Sequence, residues 1–363
     1  MVRVTSRAFG YRGGVARALG TLLVVLAVVP VASGSGPLAA RPLKVRAAVP
    51  ADDYSKPGAT EWWQLLAFDP GSRTVVRAVF MSRPLTNFRI TVLRRNEAAS
   101  VLAGDGMAIV RQSSPGVAMV GTSPPPGAEP PRASLRYKGG SYVVEARSGA
   151  GAAHLEIFPK RAGPTVGPWK LGPHKTSWNP PAFVPGRRTW SAPVTTGSAS
   201  GWIEVDGRRL SFRRWRAYQD HTWGQFSLAE SNWVHSDFAV VSPRAGEAWI
   251  LNGLEASNGA YRTQPNDRLW QGVLVHARGK SLVTCSVRVH RSGWTRNISS
   301  GWFYLLPDVV RAGCGRAGSF VFRPEGGFRG VDGFGIAQEV GGSKPTRGGT
   351  GWIAHATPPV PNS

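Results

Sequence analysis

Asp206-Gly207 divides a stretch of alternating side chains, residues 201–205 before it and 208–215 after it. A dipeptide of this kind between alternating runs specifies a β-hairpin, because the tight turn that matches strand twist needs positive φ at both central positions. The same pattern recurs at residues 141–147, 246–254, 269–276 and 281–290. In the last of these, Val283, Cys285, Val287 and Val289 alternate with Thr284, Ser286, Arg288 and His290, so one face is expected to be buried and the other wet. Cys285 then points inward. No amphipathic helical period is found beyond the first 34 residues, and the expected fold class is all-β.

The 363 residues suffice for one large domain or two smaller ones, and 42% hydrophobic content excludes a disordered chain. The 45 glycines and 29 prolines supply turns, and the 14 tryptophans supply large rigid surfaces for cores or apolar pockets. Two proline-rich segments, 113–132 and 159–200, are expected to be loops, the second packing through Trp169, Trp178 and Trp190 or covering a ligand site. Thr60-Glu61-Trp62-Trp63 with its following strand aligns with Ser231-Asn232-Trp233-Val234 and the strand after it. That repeat predicts two related β-barrels or sandwiches in tandem, over 55–225 and 226–358.

Residues 1–34 have the composition of a secretory signal peptide: four arginines without an acid, then LGTLLVVLAVVPVA and small residues. The apolar stretch is shorter than a membrane span, although left uncleaved it would serve as an anchor. Residues 35–54 are expected to form a flexible start to the exported protein. In an oxidising compartment Cys285 and Cys314 are expected to pair. The formal net charge of +23 is mostly arginine and predicts loose attraction to an anionic cell envelope, with no nucleic-acid partner. Asn297-Ile298-Ser299 fits a glycosylation acceptor.

Several chemistries find no support. The chain has no G-x-S-x-G elbow, C-x-x-C pair or H-E-x-x-H run, and Gly279-Lys280-Ser281 has Leu274 where a phosphate loop needs its leading glycine. Neither a metal nor another cofactor is expected. The informative stretch is RRWRAYQDHTWG, in which Tyr218, Asp220, His221 and Trp223 bring two titratable groups among aromatics. Alternation places Tyr218 and Asp220 on one strand face and His221 and Trp223 on the other, unless the strand ends or bulges there. An Asp among aromatics would have its pKa raised and could donate a proton; the plainer reading is a turn beside a packed Trp.

Tyr218-x-Asp220-His221-x-Trp223-Gly224, preceded by Glu61-Trp62-Trp63, resembles the hydroxyneurosporene synthase (carotenoid 1,2-hydratase) family and its AttH-like relatives. Asn232-Trp233-Val234 and the Gly333-to-Glu339 stretch correspond to two further strands of that pattern. The sequence departs from it at Gln64, where the family has an aromatic, and carries little resemblance over 82–200. The resemblance implies two tandem lipocalin-like antiparallel β-barrels with the D-H-x-W-G strand close to their junction.

Two function classes follow. In the first, a hydratase, isomerase or cyclase acts on an apolar isoprenoid or polyene: Asp220 donates the proton, Tyr218 orients it, His221 positions or deprotonates water, and Trp223, Trp63, Trp62, Glu61 and Trp233 line the pocket. In the second, the barrels carry a hydrophobic molecule without turning it over, and the motif is a structural corner. Glu61 could equally be a buried carboxylate paired with Arg213, Arg214 or Arg216. Trp233 and Trp249 read as core, His235 as a surface or satisfied residue, and the arginines at 208, 209, 213, 214 and 216 as a solvated strand face.

Overall fold

A computed structural model describes residues 41–48 and most of 60–361; outside the described residues lie 1–40, 49–59, 172–185, 226–233, 257–267, 300–301, 315–318, 325–335, 344–348, 357–359, 362–363 and a few turn positions. The signal-peptide segment, Trp178, Trp233 and Gly333 therefore lie outside them, as do the side chains of Trp169, His235, Asn297 and Glu339.

Two short strands, β1 (Arg41–Pro42) and β2 (Arg46–Ala47), precede the main sheets. The first sheet then uses β3 (Thr60–Asp69), β4 (Thr74–Arg83), β5 (Asn87–Leu93), β6 (Ser100–Gly104), β7 (Met107–Ser113) and β8 (Gly116–Gly121). It continues through β9 (Arg132–Lys138), β10 (Ser141–Ser148), β11 (Gly151–Arg161), β12 (Pro164–Leu171), β13 (Gly186–Val205) and β14 (Arg208–Gln225). Its order is β6-β5-β4-β3-β14-β13-β11-β10-β9-β8-β7, with β12 paired to β13 and β2. Strands adjacent in sequence lie side by side, and the last strand returns to the first, so the sheet curls into a nearly closed barrel.

The second sheet contains β15 (Val234–Ser242), β16 (Glu247–Ala256), β17 (Arg268–Arg278), β18 (Ser281–Ser299), β19 (Trp302–Gly313), β20 (Ser319–Pro324), β21 (Ile336–Ser343), β22 (Gly349–Ala356) and β23 (Val360–Pro361). From β15 to β22 each strand pairs with the next, and β22 pairs with β15, which closes an up-and-down ring. The fold is thus all-β, two tandem lipocalin-like antiparallel barrels. β3 and β15, the strands of the aligned repeat, hold the same topological place: each opens its ring and pairs with the closing strand.

Among the described residues, apolar side chains gather in three clusters. One lies inside the first sheet around Leu65, Phe80, Phe88, Leu102, Leu155 and Ile203. Another lies inside the second around Trp249, Leu251, Leu274, Val289 and Phe320. The third draws on both sheets, with Leu66, Phe68, Val75, Trp190 and Tyr218 of the first packed with Val240, Ile250, Val273 and Val275 of the second. This seam explains why β3 reads as an apolar run without alternation: Leu65 and Ala67 fill the barrel while Leu66 and Phe68 fill the seam. Each large side chain buried there contributes about 1.5–3 kcal/mol.

Polar clips fasten the seam. Arg161 donates to the carbonyls of Gly279 and Lys280, and Arg216 to that of Ser242, so two arginines of the first sheet hold hairpin turns of the second. The segment expected to be flexible includes a strap: β1 pairs with β18, β2 with β12, and Leu43 and Val45 pack on the seam cluster. Its apolar side chains and its backbone N–H groups, Leu43 to Thr284 and Ala48 to Gly163, give it partners on both sheets.

The two loop expectations are corrected. β8 runs inside 113–132, leaving turn and coil over 122–131, and β11, β12 and β13 run into or through 159–200. Pro159, Pro168 and Pro193 are tolerated because each sits at a register shift, between Pro159 and Arg161, Val166 and Trp169, and Ser191 and Val194. A bulge frees one strand position from the ladder, so a missing N–H costs no hydrogen bond there.

The hairpin expectation holds, with Asp206 at φ 50° and Gly207 at φ 73° between β13 and β14. Cys285 does face inward and is joined to Cys314. Thr284, expected to be wet, is buried because its face turns toward the seam.

Candidate active site on two faces of one strand

β14 pairs with β3 without a bulge from Arg216 opposite Phe68 to Gly224 opposite Thr60. Strict alternation therefore holds through the motif. Tyr218, Asp220 and Thr222 face the seam together with their cross-strand partners Leu66, Gln64 and Trp62. Gln219, His221 and Trp223 face the inside of the first sheet together with Leu65, Trp63 and Glu61.

On the seam face Asp220 is 1% exposed. Its Oδ2 accepts from the Tyr218 hydroxyl at 2.9 Å and from Gln64 Nε2 at 3.3 Å. Arg77, itself buried, donates from Nε to Gln64 Oε1 at 2.9 Å, which turns the amide so that its NH₂ points at the carboxyl. The Tyr218 ring meets Phe238 of the second sheet, centroids 5.9 Å apart. Trp190 lies directly opposite Thr222, and both are buried. Trp190 Nε1 and Thr222 Oγ1 have no hydrogen-bond partner among the described residues. A buried donor and a buried hydroxyl left this way are each able to bond an oxygen of a ligand or of water.

On the inner face His221 Nε2 lies 2.9 Å from Glu61 Oε1, with both side chains almost wholly buried. Ser82 donates to Glu61 Oε2 at 3.4 Å. The imidazole is held between two indoles, Trp63 stacked at 4.8 Å and Trp223 tilted at 4.7 Å.

These geometries rearrange the expected site. Asp220 and Tyr218 are brought together, while His221, Trp63, Trp223 and Glu61 form a separate group behind them. His221 and the indoles of Trp63 and Trp223 therefore stand on the opposite face of the sheet from the Asp220 carboxyl. Trp62, half-buried, does share the seam face. Glu61 is bonded to His221; Arg213 and Arg214 are exposed, and Arg216 is committed to Ser242. Gln64, Arg77, Trp190 and Thr222 were not legible as site residues, because only strand pairing brings them beside Asp220.

A similar cluster occurs in the second sheet. Glu247 and Trp249 occupy positions i and i+2 of β16, as Glu61 and Trp63 do in β3, and His276 lies opposite Trp249. The rings stack at 3.9 Å, and His276 Nε2 lies 3.0 Å from Glu247 Oε1. Since the strands involved are not topologically equivalent, the arrangement arises from E-x-W facing a cross-strand His and not from the tandem repeat. Arg244 donates to Glu247 at 2.8 Å. Burial pushes the Glu247 carboxyl up, but bonds and charges from His276 and Arg244 outweigh it and leave the carboxyl below its ordinary value.

No family model and no curated protein matches the chain by sequence. Among solved structures, an AttH protein of Nitrosomonas europaea superposes with a TM-score of 0.55 at 11% identity, over 86% of this chain and 99% of that one. This is the AttH-like fold. CghA shares it with a TM-score of 0.56 at 12% identity, over 90% of this chain and 97% of its own. Kievitone hydratase from Nectria haematococca aligns at 12% identity and a TM-score of 0.48, over 86% and 93%. In this chain, as its motif implied, the D-H-x-W-G strand lies at the seam between the two sheets.

Proposed function

We propose that this AttH-like protein is an acid–base enzyme of hydratase, isomerase or cyclase type that acts on an apolar isoprenoid or polyene molecule at the seam. The observation that carries the reading is the Asp220 carboxyl, withdrawn from solvent on the seam face of its strand yet held by Tyr218 and Gln64. A carboxyl group so placed can transfer a proton where bulk water does not compete for it.

The chemistry balances with the protein's own groups. Asp220 gives its proton to one carbon of an isolated double bond, and the adjacent carbon becomes cationic. Aromatic faces on the seam side, Tyr218 and Trp190, contribute about 2 kcal/mol each toward that charge. In hydration a water oxygen, accepting from Trp190 Nε1 and paired with Thr222, adds to the cation and returns a proton to the Asp220 carboxylate. In isomerisation or cyclisation the cation instead gives a neighbouring proton to the Asp220 carboxylate, directly or after closing on a second double bond, and the acid is restored.

The protein is further proposed to be exported, in keeping with the Cys285–Cys314 disulfide. The described residues contain no helix long and apolar enough to cross a membrane.

The test pairs mass spectrometry of an organic extract of the purified protein with incubation of candidate polyenes in ¹⁸O-labelled water. Asp220→Asn is expected to stop product formation, about 10²-fold or more, while ligand binding persists. Turnover surviving in that variant would remove Asp220 as the acid. An acyl lipid in the extract, with no product from any polyene, would establish a carrier instead.

A further inference from the structure

Behind Asp220, on the inner face of the first sheet, three polar side chains stand next to one another in register. Ser191 of β13 lies opposite His221, Val194 lies opposite Gln219, and Gln219 precedes His221 by two positions on the same face. Ser191, Gln219 and His221 are each 1% exposed. Ser191 Oγ, Gln219 Oε1 and His221 Nδ1 have no hydrogen-bond partner among the described residues. Three neighbouring orphan atoms in a native interior call for a shared occupant, since each unmade bond costs about 1–3 kcal/mol.

We propose that these atoms form a second binding site, distinct from the Asp220 site, that takes the hydroxyl end of an apolar alcohol. Where Glu61 accepts an Nε2 hydrogen from the neutral imidazole, the Nδ1 lone pair lies on the other edge of the ring. Trp63 and Trp223 cover the ring, so the edge is what it presents. Nδ1 and Gln219 Oε1 accept, and the guest must therefore bring a hydrogen. The Ser191 hydroxyl can donate into a lone pair, which an alcohol oxygen supplies and an ether or hydrocarbon cannot combine with that hydrogen. The surroundings on the same face, Leu65, Phe80, Val194 and Ala217, are apolar and packed, so a hydrocarbon body enters by displacing part of that packing.

The experiment titrates the intact protein with farnesol and with farnesyl methyl ether, reading tryptophan fluorescence, and follows the His221 nitrogens by ¹⁵N NMR of the same samples. Farnesol is expected to bind about tenfold more tightly than the ether, the advantage of one or two hydrogen bonds. Ser191→Ala and Gln219→Leu should each bring the two ligands to within about threefold. In the unmodified protein, which needs no variant to fold, farnesol should shift Nδ1 and leave Nε2 in place. Equal affinity for the two ligands, binding of neither, or an unmoved Nδ1 signal would overturn the proposal and leave an ordered water as the occupant. None of these readouts depends on catalysis at Asp220, so the two readings fail separately.

Discussion

The imidazole of His221 lies flat against the indole of Trp63, centroids 4.8 Å apart and planes 8° from parallel, while its Nε2 reaches Glu61. Stacking and hydrogen bond together fix both the ring plane and its rotation. His221→Phe keeps the stack but removes the His221 hydrogen bond from Glu61, and should destabilise the protein by about 1–3 kcal/mol. Glu61→Gln, which still offers an acceptor, should cost less, and the double variant should recover part of the loss of His221→Phe. Urea unfolding of the three variants checks this; additive losses would mean that the pair does not interact.

Acid should act on the second cluster. Burial raises the Glu247 carboxyl, but His276 and Arg244 hold it below its ordinary value of 4.5 in the folded state. A depressed folded-state value contributes stability above the unfolded value, and that contribution disappears as pH falls through the folded one. The melting temperature should therefore fall as pH drops below about 4.5, and Glu247→Gln should make that fall shallower while lowering stability at neutral pH. Thermal melts across pH 2–6 decide it.

Two glycines set backbone strain alone against strain combined with steric conflict. Gly207 has φ 73° with nothing within 4 Å of an added Cβ, so Gly207→Ala should cost about 1–2 kcal/mol for conformation alone. At Gly201 an added Cβ would fall 2.1 Å from the His154 carbonyl oxygen, and the β11–β13 ladder would have to part. Gly201→Ala should be the more damaging, as measured by urea midpoint.

The disulfide closes a separation of 29 residues between β18 and the end of β19, and both cysteines are buried. Replacing the pair by alanine should lower stability by about 3–4 kcal/mol. Without denaturant, reductant should expose free thiols only slowly, because the sulfurs are reached through opening of the barrel wall. Rapid thiol release in native buffer would contradict the burial.

The sequence by itself determined local parity. The Asp206-Gly207 turn, the inward Cys285 and the division of Tyr218 and Asp220 from His221 and Trp223 all follow from a two-residue period that needs no knowledge of the rest of the chain. Tertiary structure alone decided what each face meets. The outer face of β3 and β14 is covered by the second sheet, so Asp220 is buried at a seam; Glu61 is partnered by a histidine 160 residues away and not by a nearby arginine; and prolines run through strands because register shifts absorb them. Alternation is a property of one strand, whereas burial, pairing and register belong to elements distant in sequence, which only the folded chain brings together.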